Sequence, residues 1–232
     1  HHRFTLEYTS NPAWYAVHSL PYLMEYPHAC TEQIFNRYYA NSLATSVANA
    51  HPKIKRVFDQ WKNTEAMESN LSKNEELKSA LHAETPWVLQ AQSEAQQKQN
   101  IGLLFDLNRM SREQEQAVAQ LAERQLSSGG FSWFPGGQSN WYITQYLVEG
   151  MGHLEQLGVK SIRQEERASN MLRRAIVFID ERMARHYKEL EARIQRTKGD
   201  LTKDHLDYLA IHYLYTRSFF KDIPQSADAK TA

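Results

Sequence analysis

The chain has 232 residues, and its 27 Lys and Arg residues balance 27 Asp and Glu residues, so its formal net charge is zero with His neutral. A neutral chain lacks the basic surplus of nucleic-acid-binding proteins, and 41% hydrophobic residues is typical of a globular protein rather than a disordered one. No apolar run approaches the roughly 20 residues of a membrane helix, and the single cysteine, Cys30, excludes an internal disulfide framework and any multi-cysteine zinc site.

Apolar residues recur at helical rather than alternating spacing, and only 9 Gly and 7 Pro interrupt them, which predicts an all-α fold. The first predicted helix begins after Cys30, with its apolar positions at Ile34, Phe35, Tyr38, Tyr39, Leu43 and Val47. The following stretch, 53–99, is polar and rich in Lys, Glu, Asn and Gln, so we interpret it as short helices in a surface insertion within a single domain of residues 1–232.

Capping signals place the next two predicted helices. Ser111 and Gln114 have the spacing of a capping box, and a helix starting there would carry Val118 and Leu121 on one face and end at Gly129–Gly130. Asn140 predicts the start of a second helix, with Ile143, Leu147, Met151 and Leu154 on its apolar face and Gly158 at its end.

The last two predicted helices follow from a long apolar stripe and a threonine. The stripe steps by three and four residues and ends before Gly199; it consists of Leu172, Ile176, Ile179, Met183, Tyr187, Leu190 and Ile194. Thr202 is predicted to precede a helix carrying Leu206, Leu209, Tyr213 and Leu214. Helices joined by short loops predict stacked helical hairpins.

Cys30 and Gln33 carry the most informative chemistry in the sequence. They lie three residues apart at the start of a predicted helix, so their side chains share one turn. A thiolate attacking the Gln33 carboxamide with loss of ammonia would give an internal thioester, an activated acyl group that amines or hydroxyls can capture. From the spacing alone, a packed free thiol remains the favoured interpretation.

Water would destroy an exposed thioester, so we expect aromatic cover from some of Tyr26, Trp133, Phe134, Trp141 and Tyr142. Glu32 is interpreted as a structural complement to the helix dipole, and His28 as a loop residue. His205 and His212 share a helical face, but the sequence shows no third ligand for zinc, so no metal site is expected.

The octet Tyr26-Pro27-His28-Ala29-Cys30-Thr31-Glu32-Gln33 resembles the thioester motif of the α2-macroglobulin and complement family, with Cys-x-Glu-Gln as the shared element. A second stretch, Gly129 to Phe134 followed by Trp141 to Tyr146, is similar to the Gly-Gly-Phe loop and aromatic helix of the same domain. Asn11 to Val17 and Leu20 to Leu23 also look like bacterial members, so the resemblance covers residues 4–50 and 125–220. Ala29 and Thr31 stand where the vertebrate form has glycine.

The resemblance implies an α/α toroid, here a partial one, within a larger secreted, periplasmic or cell-surface protein. It further implies a protease trap, in which bait cleavage elsewhere uncovers the thioester, with other domains of the parent chain and proteases as partners and no cofactor. Tyr26, Pro27 and Glu32 would support the motif around Cys30 and Gln33. None of the ten histidines matches the acyl-accepting histidine of some members, so single-turnover transfer to lysine amines is expected, rather than enzymatic turnover.

Two alternatives remain open at this point. Gly-Gly-Phe loops also occur in toroidal prenyltransferases and terpene cyclases, but these need an acidic cluster for metal-bound diphosphate or a protonating Asp motif, and the sequence shows neither. The chain would otherwise be a helical scaffold in which Cys30 is an inert core thiol.

Overall fold

A computed structural model describes residues 30–50, 56, 107–159, 163 and 165–232 of the chain. Within these ranges the protein is all-α, as predicted, with isolated β-bridges and no β-strand. The helices are α1 (Thr31–Ala50), α2 (Leu107–Arg124), α3 (Trp141–Gln156), α4 (Glu166–Thr197), α5 (Tyr208–Ser218) and α6 (Ala227–Thr231). None of the helices in the described ranges is long and apolar enough to cross a membrane.

The chain divides into two compact units by its internal contacts. One comprises Pro27–Ser42 and Gln114–Ala232, and the other comprises His1–Tyr26 and Leu43–Glu113. The predicted insertion 53–99 lies outside the described residues except for Arg56, so the single-domain organisation stays a prediction. The helix packing and the site contacts described below lie within the unit of Pro27–Ser42 and Gln114–Ala232.

The long apolar stripe forms the buried face of α4, as predicted. Leu172, Ile176, Ile179 and Met183 are buried along it, and Leu190 and Ile194 continue the face. The helix ends at Thr197 and its C-cap residue, Lys198, takes the left-handed conformation with φ of 50°. The Gly199 N–H then donates 2.9 Å to the Ile194 carbonyl.

Helix α3 packs against both α4 and α5, and α4 also packs against α5 and α6. The predicted N-cap of α3 is confirmed: the Asn140 side chain accepts a hydrogen bond from the Ile143 N–H at 3.0 Å. Its last turn stops at Gln156, two residues before Gly158, whose φ of 76° turns the chain. The toroid remains a prediction, since the contacts among these helices do not define a ring.

Helix α3 also packs against the beginning of α1. The Tyr146 hydroxyl donates a 2.7 Å hydrogen bond to the Asn36 side chain, and its ring meets the ring of Phe35 edge-on with centroids 6.0 Å apart. Gly150 makes this approach possible, because a Cβ there would lie 2.4 Å from the Phe35 ring. The start of α1 is thereby held on one face of α3.

The predicted starts of two helices are wrong. Helix α2 begins at Leu107, so Ser111 lies inside it rather than at its cap, and the helix ends at Arg124, five residues before Gly129. Helix α5 begins after Asp207, which accepts a hydrogen bond from the Ala210 N–H, whereas Thr202 binds the Asp200 side chain in the preceding turn.

As a result, two of the predicted apolar positions of α5 lie on the surface. Leu206 precedes the helix and Leu214 is on its outer face, and both side chains are more than half exposed. Tyr213, in contrast, is fully buried, as predicted.

Candidate functional site

Cys30 and Gln33 meet at the first turn of α1. The Cys30 carbonyl accepts the first intrahelical hydrogen bond from Ile34 at 3.1 Å, so Cys30 is the N-cap residue of the helix. The side-chain carbonyl Oε1 of Gln33 folds back and accepts a hydrogen bond from the Cys30 N–H at 3.3 Å. This is the glutamine half of a capping box, with Cys at the position that Ser or Thr usually occupies.

The capping contact also polarises the Gln33 carboxamide. When a nucleophile attacks an amide or acyl carbon, negative charge develops on the carbonyl oxygen, and a backbone N–H directed at that oxygen stabilises it. The Cys30 N–H is such a donor, and the positive end of the α1 dipole adds to its effect. The Cys30 side chain, 8% exposed, is largely withdrawn from water.

The loop of residues 129–134 lies against this turn. The Thr31 N–H donates a 2.9 Å hydrogen bond to the Trp133 carbonyl, across about a hundred residues of sequence. The loop turns at Gly129, where φ is 86° and a Cβ would lie 2.3 Å from the Arg174 carbonyl oxygen, so only glycine fits there. The two segments that resemble the thioester family are therefore neighbours in the fold.

Comparison of the chain with protein-family models, with curated proteins and with solved structures finds no match. The assignment of chemistry to this site therefore rests on its own geometry and on the sequence motifs.

Five aromatic residues were predicted to cover Cys30, and two of the four that lie in the described ranges adjoin the site. The half-buried Trp133 ring stacks on Tyr142, with centroids 6.2 Å apart and planes at 17°. Tyr142 continues the row to Tyr146, 6.5 Å away. Burial raises the pKa of both tyrosines, and the negative charge of Glu32 raises it further.

The other two aromatic candidates need correction. The Phe134 side chain is 62% exposed, so its ring lies in water and is not packed as a shield. Trp141 is buried, but its ring contacts α4 instead, with His186 5.3 Å away and the Arg182 guanidinium 5.7 Å away. Successive residues at the start of α3 point about 100° apart, which separates Trp141 from Tyr142. Tyr26 and Pro27 lie outside the described residues.

Sequence reasoning missed a histidine–carboxylate pair, formed by His212 and Glu149, that lies near Tyr142. His212 of α5 is buried and its Nε2 lies 2.7 Å from the Glu149 carboxylate of α3, while its ring is 5.7 Å from that of Tyr142. The other predicted histidine, His205, contacts the Asp200 carbonyl instead. In the described ranges, no three His, Cys, Asp or Glu side chains are grouped to hold a metal ion. Glu149 carries no motif, so no local signal would have indicated the pair.

Proposed function

We propose that this chain is a thioester domain of the α2-macroglobulin type, which captures attacking proteases covalently through Cys30 and Gln33. The observation that carries the proposal is the hydrogen bond from the Cys30 N–H to Gln33 Oε1, which folds the carboxamide back onto the only cysteine of the chain. The packing of the 129–134 loop on the same turn supports it, because a thioester has to be kept from water.

Formation of the bond would follow from this arrangement. The Cys30 thiolate attacks the Gln33 side-chain carbonyl carbon, and the charge that develops on Oε1 is stabilised by the Cys30 N–H. The tetrahedral intermediate then expels ammonia, because the leaving nitrogen takes up the proton that the Cys30 thiol lost on forming the thiolate, and a carbon–sulfur bond replaces the carbon–nitrogen bond. Every atom involved belongs to this turn, so no cofactor is required.

Capture would use the same oxygen and the same N–H. A lysine amine attacks the Gln33 acyl carbon, the carbon–sulfur bond breaks, and Cys30 leaves as a thiolate at the positive end of α1. The amine loses a proton, which the thiolate or solvent takes up. The product is an amide, which does not reopen under physiological conditions, so each chain would act once as a trap and not turn over as an enzyme.

In the whole protein, we place this domain in a partial α/α toroid beside macroglobulin domains, in the periplasm or at the cell surface. Cleavage of a bait segment elsewhere in the parent chain would expose the Cys30–Gln33 bond to the lysines of the attacking protease. The neutral charge of the chain and its aromatic site suit a protein partner rather than a nucleic acid.

Intact mass tests the proposal directly. Freshly folded wild type is expected to be about 17 Da lighter than the calculated chain, because forming the thioester removes ammonia. Methylamine should then restore about 31 Da by adding to the Gln33 acyl group, and should release one titratable thiol. Cys30→Ser and Gln33→Glu are matched controls, since the first lacks the thiol and the second keeps the carbonyl that caps Cys30.

Unmodified Gln33 in fresh wild type, with a free thiol and no response to methylamine, would contradict the proposal. A chain about 1 Da heavier than calculated, with Glu at position 33, would instead show that the bond had formed and hydrolysed. Peptide mapping of residue 33 separates the two outcomes.

An inert structural role for Cys30 is the second candidate, and one observation favours it. A capping box needs the same contact between Gln33 and the Cys30 N–H, whether or not a thioester forms. The mass measurement decides between these functions. A prenyltransferase or cyclase would need a metal-binding acidic cluster, and the described residues contain no group of three His, Cys, Asp or Glu side chains that could hold a metal ion.

A further inference from the structure

Thr31 makes two hydrogen bonds to the loop that faces the Cys30–Gln33 turn. Its hydroxyl donates 2.5 Å to the Ser132 carbonyl, and its N–H donates 2.9 Å to the carbonyl of the next residue, Trp133. The Thr31 side chain has 0% exposure. One residue of the turn therefore binds two consecutive carbonyls of the loop.

The other side of this loop is fixed to α3. The Phe131 N–H donates 2.9 Å to the Thr144 hydroxyl, and the Phe131 carbonyl accepts 2.8 Å from the Asn140 N–H. The Phe131 side chain is fully buried. Residues 132 and 133 thus run from an anchor on α3 to an anchor on Thr31, and only the second anchor involves the turn that holds Cys30.

The N–H of the first residue in a helix has no partner within the helix and normally binds water. At Thr31 the Trp133 carbonyl replaces that water, so the loop lies over the end of α1 where Gln33 would react. A threonine hydroxyl adds a second bond that the vertebrate glycine at this position does not have. The side chain therefore strengthens a closure that the backbone alone would make with one bond.

We propose that Thr31 is a positioning residue whose hydroxyl holds the 132–133 loop closed over the Cys30–Gln33 turn and so limits the access of water and small reagents to it. The proposal rests on the proposed function where it concerns hydrolysis of the thioester. The closure itself can be measured without a thioester.

The test uses Thr31→Val, which keeps the shape of the side chain and removes the hydroxyl, and Thr31→Ser, which keeps the hydroxyl. Thr144→Val is the matched control, because it removes a hydroxyl from the α3 anchor of the same loop. In buffer without amine, spontaneous release of the Cys30 thiol should be about fivefold faster in Thr31→Val, the change expected for one hydrogen bond of average strength. Thr31→Ser should stay within about twofold of wild type.

A second readout is alkylation of Cys30 by iodoacetamide in a Gln33→Glu background, where the thiol is free. Thr31→Val should again raise the rate about fivefold, with rescue by Thr31→Ser. Equal rates for Thr31→Val and its parent, or an equal rise in Thr144→Val at matched stability, would overturn the proposal. If residue 33 of fresh wild type is unmodified Gln while alkylation follows Thr31, the thioester function fails and the closure stands.

Discussion

The Tyr213 hydroxyl donates a 2.9 Å hydrogen bond to the Asp180 carboxylate, joining α5 to α4 inside the core. Arg217 lies 3.0 Å from the same carboxylate oxygen and donates to the carbonyls of Phe220 and Ile223. Burial beside Asp180 raises the pKa of Tyr213 to about 12, so the phenol stays protonated and keeps donating. The trio therefore holds α5 against α4.

Asp180→Asn should therefore destabilise the protein strongly. It removes the negative charge that lies 3.0 Å from the buried Arg217 guanidinium, a loss that typically costs about 3–5 kcal/mol. Tyr213→Phe removes one hydrogen bond and should cost about 1–2 kcal/mol. Urea unfolding monitored by circular dichroism measures both, with Ile211→Val on the exposed face of α5 as the control, where a change below about 0.5 kcal/mol is expected.

Gly150→Ala should move α1 away from α3. The new methyl group would lie 2.4 Å from the Phe35 ring, and overpacking of this kind costs about 1–3 kcal/mol. Phe35→Leu in the same chain would create room, so the double variant should lose less stability than the sum of the single variants. Additive losses in urea unfolding would show that the two residues are not in contact.

The ion pair between Arg163 and Asp222 predicts a pH-dependent contribution to stability. Hydrogen bonds from Arg163 lower the pKa of Asp222 from its ordinary value of 3.8. A carboxyl whose pKa is lower in the folded state stabilises the protein above its unfolded pKa, and this contribution disappears as the pH falls through the folded pKa.

Arg163→Gln should thus lower the free energy of unfolding near neutral pH, by at most about 1 kcal/mol because both partners are exposed. The difference from wild type should shrink as the pH falls below about 4. Arg196→Gln on the exposed side of α4 is the control, and a difference that grows in acid would contradict the assignment.

Trp133 and Phe134 are adjacent in sequence but are expected to behave differently. Trp133→Ala removes the ring that stacks on Tyr142 and should speed spontaneous release of the Cys30 thiol by roughly three- to tenfold, the effect of losing about 0.7–1.4 kcal/mol of loop packing. Phe134→Ala removes an exposed ring and should leave the rate unchanged. Thiol titration over time measures both rates. If both variants release the thiol at the wild-type rate, neither ring protects the bond.

Local signals predicted the parts of the fold that depend on neighbouring residues. The Asn140 cap and the α4 stripe are such cases, because each is decided within a few turns of chain. Thr202 failed as a cap because Asp200 and Asp207 offered competing side-chain acceptors, and the sequence does not rank them. Which residue becomes the N-cap depends on how the helix packs against the rest of the protein.

The candidate site likewise combines a local contact that the sequence predicts with long-range contacts that it does not. The pairing of Cys30 with Gln33 follows from a spacing of three residues, whereas the contacts of Thr31 with Ser132 join positions 101 residues apart. The exposure of Phe134 could not be predicted either, because adjacent aromatic residues in a loop can point in different directions. Contacts between residues that lie far apart in sequence can be identified only from the folded structure.

The main-chain hydrogen bond from Thr31 to Trp133 also determines how the Thr31 amide exchanges its hydrogen with solvent. An amide exchanges its hydrogen with solvent only when its bond opens, and amides along a helix normally open by fraying from the end. The Thr31 amide is held by a loop carbonyl instead of by the helix, so its deuterium uptake would follow detachment of the loop, while uptake at Phe35 would follow unwinding of α1. A single exchange experiment on this turn would thus separate the opening of the loop from the melting of the helix beneath it.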